Sequence, residues 1–214
     1  MTPRKKSPAA AGPAKTPGYC ALPERMPAIP LEKLTDAQKK AVAAISATPR
    51  GGIRGPFWPM LRSPEFMNRA QTVGEYLRFL CPLDKRIGEL AALMGARAWT
   101  QQYEWNAHYP QAIAAGLKRS IADAIGECRR PVGMAEDEEI VYEFISELLA
   151  NKSVSDPTYA RAAAKFGEKG IIDLIGIVGY YSLLAMIMNV ARTAIPDGKP
   201  LPLAPMPDQI RSGM

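Results

Sequence analysis

The sequence predicts an all-α protein, a helical bundle flanked by extended N- and C-terminal arms. Three observations carry that prediction. Helix-start signals recur along the chain, apolar residues repeat at helical spacing, and no run of alternating polar and apolar residues marks a strand.

The arms follow from where proline falls. Of the chain's 20 prolines, seven lie in residues 1–30 and five in 195–214, so the 214-residue sequence divides into a proline-rich basic arm (1–30), a body (31–195) and a second arm (196–214). Within the body, Thr35-Asp36-Ala37-Gln38 has the form of a capping box and opens a helix that stops before Pro49. Residues 49–62 form a loop punctuated by glycine and proline and anchored by Phe57 and Trp58. Ser63-Pro64-Glu65 starts the next helix, with proline in the first turn, where its missing N–H is harmless. It continues through Val73, Tyr76, Leu77 and Leu80.

Asp84 caps a helix in which Ile87, Leu90, Ala91 and Met94 share a face. A break is expected at Gly95-Ala96-Arg97. A helix from Thr100 then carries Tyr103, Trp105 and His108 to about Ala115, with Gly116 placed to end it. Ser120–Ile125 is a short helix. Ala135–Ala150 is amphipathic, with four acidic residues, Glu136 to Glu139, suited to a helix N-terminus. Ser155-Asp156-Pro157 opens another helix, and an apolar helix over 171–191 closes the body.

Charge and cysteine usage exclude several function classes. Residues 1–30 hold a net +4 of the formal +6, leaving +2 for the remainder, too little for a face that tracks phosphates. The start Arg4-Lys5-Lys6 therefore reads as a solvated tail, and nucleic acid is not an expected partner. Cys20, Cys81 and Cys128 are widely spaced, and with one histidine they make neither a disulfide framework nor a zinc site. No apolar stretch follows the basic start, so a reducing, cytoplasmic setting is expected. Residues 171–191 are long enough to span a bilayer and hold one charge, Asp173, but Gly176, Gly179 and Asn189 dilute them. A core or subunit-interface helix is the preferred reading, with no membrane partner.

The chemistry-bearing pattern is Glu89-x11-Gln101-x2-Glu104-x3-His108. On one helix Gln101, Glu104 and His108 fall at i, i+3 and i+7 and share a face, and a helical hairpin brings Glu89 alongside. A carboxylate beside an imidazole raises its basicity and fixes its orientation, so such a pair can take and return a proton near neutral pH.

This pattern resembles the core helical pair of the carboxymuconolactone decarboxylase family, within the alkylhydroperoxidase-D-like superfamily. The peroxidase branch has Glu-x11-Cys-x2-Cys-x3-His; here Gln101 and Glu104 stand at the two cysteine positions. Glu104-Trp105-Asn106-Ala107-His108 is similar to the Glu-Trp-x-x-His form of the decarboxylase-like branch. Arg54-Gly55-Pro56-Phe57, Arg86 with Glu89, and Gly179-Tyr180-Tyr181 extend the likeness over roughly residues 30–195.

The resemblance implies a helical subunit of a homotrimer or homohexamer, working without metal or organic cofactor as a decarboxylase-like lyase. The implied substrate is a small carboxylated lactone or keto acid, as in aromatic-compound degradation. His108, Glu104 and Glu89 are the expected catalytic groups, with Arg54, Gln101 and Trp105 on the substrate. Each has a plainer reading beside it. His108 can be a structural histidine, Glu104 a solvated charge and Glu89 a brace between helices. Arg54 can pin its loop, and Trp105 can be core. A non-catalytic oligomer that binds a small molecule is the alternative function. A thiol peroxidase is less favoured, since it needs an attacking and a resolving cysteine.

Overall fold

The computed structural model describes residues 23–196, 201–204 and 206. Arg4-Lys5-Lys6 and Cys20 lie outside them, as does most of the second arm. Among the described residues there are eight α-helices and no strand: α1 Asp36–Ser46, α2 Phe57–Met60, α3 Pro64–Glu75, α4 Lys85–Ala98, α5 Gln102–Ala114, α6 Arg119–Gly126, α7 Glu136–Asn151 and α8 Asp156–Ala191. A 3-10 turn, Leu31–Lys33, precedes α1, and a π-helical turn, Tyr76–Leu80, continues α3.

The expected caps form. Thr35 Oγ1 accepts from the Gln38 N–H at 3.3 Å, and Gln38 Oε1 accepts from the Thr35 N–H at 3.0 Å. Asp84 Oδ1 accepts from the Arg86 N–H at 2.8 Å.

Helix α4 is the centre of the bundle and packs on α5, α6, α7 and α8. Its residues Leu90 to Leu93 are almost wholly buried. Gly88 and Gly95, seven apart and so on one stripe, both face α8, with room there for a methyl group in ordinary contact. A Cβ at Gly88 would sit 3.8 Å from Ile177 Cδ1, and one at Gly95 would sit 3.6 Å from Tyr181 Cβ. Arg86 ties α4 to α7 through Asp137 and Glu138, each at 2.6 Å.

One sequence boundary is corrected. Gly95-Ala96-Arg97 remain helical, because the small residues serve packing against α8. The chain breaks instead at Trp99–Thr100, where Thr100 has φ 47°. The helices expected from Asp156 and toward 191 are both present within α8 and meet at a kink at Gly167 (φ 66°), a non-helical backbone angle that glycine tolerates without strain. The lone charge of the apolar stretch, Asp173, is buried and satisfied. It accepts from Tyr76 Oη at 3.0 Å and from Lys169 Nζ at 2.7 Å.

By length and composition α8 could cross a membrane, but 56% of its most apolar window is buried inside the fold. That burial is what a central core helix shows.

Both arms, where described, lie along the body. The Arg25 N–H reaches Ala191 O at 2.8 Å, and Arg62 Nη2 reaches Pro27 O at 2.8 Å. At the other end the buried Leu203 is held through its backbone. Gln102 Nε2 donates to Leu203 O, and Gln102 Oε1 accepts from the Leu203 N–H, both at 2.8 Å. Arg97 Nη1 adds a bond to Ala204 O at 2.8 Å. Gln102→Ala should leave two buried backbone groups unpaired and cost about 1–3 kcal/mol. Chemical denaturation checks this, and proteolysis near residue 203 should accelerate in the variant.

Candidate active site

A cavity of about 480 Å³ opens between the 49–57 loop, the π-helical turn, α5 and α8. The loop closes over α5 because residue 55 is glycine. Its φ is +50°, and a Cβ there would meet Tyr103 Cε1 at 2.5 Å.

Glu89 and His108 come from the facing helices α4 and α5. His108 Nδ1 lies 2.7 Å from Glu89 Oε2, and both side chains are buried. An ionised carboxylate only accepts, so Nδ1 carries the hydrogen and Nε2 is left as the reactive nitrogen of the neutral ring. The Tyr181 ring packs edge-on against the imidazole, with centroids 4.6 Å apart and planes at 74°. The ring is thus fixed on two sides, and His108 lines the cavity.

The carboxylate beside His108 is therefore Glu89, where the sequence pattern also offered Glu104. Glu104 lines the same cavity, only 3% exposed, and neither of its carboxyl oxygens has a hydrogen-bond partner among the described residues. Burial disfavours its charged form and pushes the carboxyl well above the usual carboxylate range. It is set up as a neutral acid, with a proton to donate.

Gln101 and Trp105, expected to bind substrate, are not among the residues lining this cavity. Gln101 is fully buried and caps α5. Its Oε1 accepts from the Glu104 N–H at 3.1 Å, while its Nε2 donates to Asn189 Oδ1 at 3.0 Å. Trp105 turns toward α6, where a Cβ at Gly126 would stand 3.0 Å from Trp105 Cζ2. Arg54 does line the cavity, but it is solvent-exposed, and its Nη2 is bonded to Arg50 O at 2.9 Å.

Among the lining residues not assigned to the site from the sequence are Arg50, Arg78 and Tyr180. With Arg54 they give the cavity three guanidinium groups, against a single acidic side chain in the lining, Glu104. Nothing in the local sequence separates Arg50 from Arg54, since both sit among the same glycines and prolines. Tyr180 and Tyr181 stood out in the sequence only as part of the family likeness.

The two described cysteines stand apart from the cavity. Cys128 Sγ accepts from Arg97 Nε at 2.9 Å, and the Cys81 thiol is pushed up chiefly by burial.

No protein-family model matches this chain, and no curated protein matches it. Its fold is similar to the crystal structure of a protein of unknown function from Agrobacterium tumefaciens, whose description assigns it to AhpD-type antioxidant defence. The TM-score is 0.58 at 16% identity, over 64% of this chain and 94% of that one. At that identity the likeness shows the fold. The chain has an AhpD-like all-α fold.

Proposed function

We propose that this chain is a cofactor-independent lyase of the carboxymuconolactone decarboxylase type, acting by acid–base chemistry on a small carboxylated lactone or keto acid. The observation that carries the reading is the buried Glu89–His108 pair, whose free imidazole nitrogen belongs to a cavity lined by arginines.

Each part of that chemistry has a group to perform it. Loss of CO₂ breaks a carbon–carbon bond and leaves its electron pair on the substrate. Conjugation carries the pair to a carbonyl oxygen. The neutral Glu104 acid can hydrogen-bond that oxygen as its charge grows, in a cavity where burial strengthens the interaction. A proton must then reach carbon: His108 Nε2 takes one from solvent, with the Glu89 carboxylate balancing the imidazolium, delivers it to carbon and returns to the neutral ring. The guanidinium groups favour a carboxylate-bearing substrate over its neutral analogues.

The reading includes assembly into a homotrimer or homohexamer. Support comes from the outer face of α8, where Ile172, Ile175, Met186 and Val190 expose apolar surface on one stripe. Light scattering that finds a stable monomer at micromolar concentration would remove this part.

The activity is tested by screening small carboxylated lactones and keto acids for conversion without added cofactor. On any substrate found, the triple change of Cys20, Cys81 and Cys128 to serine should leave turnover within about twofold. A serine hydroxyl can still accept from Arg97. Loss of turnover in a well-folded triple variant would favour the thiol peroxidase reading instead.

A further inference from the structure

We infer that Arg50 and Tyr180 form the anion-holding subsite of this cavity, built to grip one carboxylate of a planar organic acid. The inference rests on the reading of the cavity as a carboxylate site and names the groups that bind it.

Arg50 is a half-buried guanidinium without an acidic partner. None of the ion pairs among the described residues includes it. Its Nε is buried with no hydrogen-bond partner, and its Nη2 reaches only the Tyr180 hydroxyl, at 3.4 Å. The guanidinium lies over two rings, 5.0 Å from the Phe57 centroid and 5.7 Å from the Phe79 centroid. Those rings fix its plane but supply no acceptor. A charge removed from water needs compensation, and here the protein leaves that place open. Burial is the main effect disfavouring the charged guanidinium, with Arg78 adding to it; Glu75 opposes this only from beyond ion-pair distance, so a bound anion would relieve the burial.

Tyr180 completes the subsite. Its oxygen accepts from Arg50, and no acceptor among the described residues takes its own hydrogen. Burial keeps the phenol protonated, so it remains a donor. One oxygen of a carboxylate can face the guanidinium while the phenol donates to the other. Phe57, Phe79, Leu184 and Met188 offer apolar surface for the body of the acid.

Helix α3 is cut away to admit this pair. A Cβ at Gly74 would lie 2.2 Å from Tyr180 Cζ and Oη and 2.6 Å from Arg50 Nη2. Glycine is disfavoured inside a helix. At this position it is the residue that lets both donors sit where they do. Among the described residues no hydrogen bond joins Glu89 or His108 to Arg50 or Tyr180.

The test is calorimetric titration of the full chain with benzoate, and with benzamide as the uncharged isostere. Benzoate should bind and benzamide should not. Arg50→Met should weaken benzoate roughly 10–100-fold, the range for a lost charge-assisted bond, and Arg50→Lys should recover only part of it. Tyr180→Phe should cost less, up to about tenfold, because one neutral donor is removed. Gly74→Ala should weaken benzoate at least tenfold while keeping the helical circular dichroism. No conversion of any screened acid, with benzoate binding intact, would count against the proposed reaction alone and leave this subsite standing. Unchanged benzoate affinity in Arg50→Met, equal binding of benzamide, or no benzoate binding to the unsubstituted chain would each overturn the subsite.

Discussion

Replacing His108 with alanine is expected to lower turnover roughly 10²–10⁴-fold while the helical signal and the assembly state persist. The magnitude is the usual contribution of a positioned general acid–base group. The imidazole sits between Glu89 at 2.7 Å and the Tyr181 ring, and its only other polar atom is Nε2. Removing the ring therefore deletes the proton carrier and leaves Glu89 buried without its partner. Some loss of stability will accompany the loss of turnover, so a second variant isolates the chemistry. Glu89→Gln keeps the shape, but its amide can present N–H to Nδ1 and so favour the opposite tautomer. It should slow turnover by more than tenfold with little change in the substrate concentration required. Wild-type turnover in His108→Ala would mean that the histidine is structural, and the acid–base reading would fail with it.

Glu104 should show a trade between stability and activity. Its carboxyl is buried without a hydrogen-bond partner among the described residues, and burial raises its folded-state pKa well above the usual carboxylate range. The folded protein thus holds this proton more tightly than the unfolded chain does. The associated stability is fully present below the unfolded pKa and is lost as pH rises from about 4.5 through the folded value. Glu104→Met replaces the acid with an apolar side chain of similar length. It should be more stable than wild type by about 1–3 kcal/mol at pH 8, the usual cost of a buried polar group without a hydrogen bond. The advantage should shrink toward pH 5. Denaturation midpoints of both proteins at the two pH values give the comparison, and their difference cancels the other titrating groups. The same variant should lose turnover, because the neutral acid at the carbonyl oxygen is gone. A variant less stable than wild type at pH 8 would show that the Glu104 carboxyl is satisfied in solution.

What the sequence by itself determined was the secondary structure and the pair at the heart of the site. Local signals sufficed for the helices: Thr35 with Gln38 and Asp84 with the Arg86 N–H make bonds within three residues, so no distant part of the chain is needed. Glu89 and His108 were legible because a helix and its hairpin partner convert fixed spacing into proximity. Gly95 was misread as a break because glycine has two uses, and only the approach of α8 decides between them.

The tertiary structure alone decided the roles of the remaining residues. A helical position defines a face but not what that face meets. Gln101 and Glu104 sit one turn apart, yet one is spent on capping α5 while the other keeps a free acid in the cavity. Trp105 turns to α6, away from substrate space. Arg50 and Tyr180 are 130 residues apart, and they meet because Gly74 clears the space between α3 and α8. Packing and desolvation are long-range properties of the folded chain. They set which carboxyl loses its charge and which arginine is left without a partner, and no local pattern encodes either.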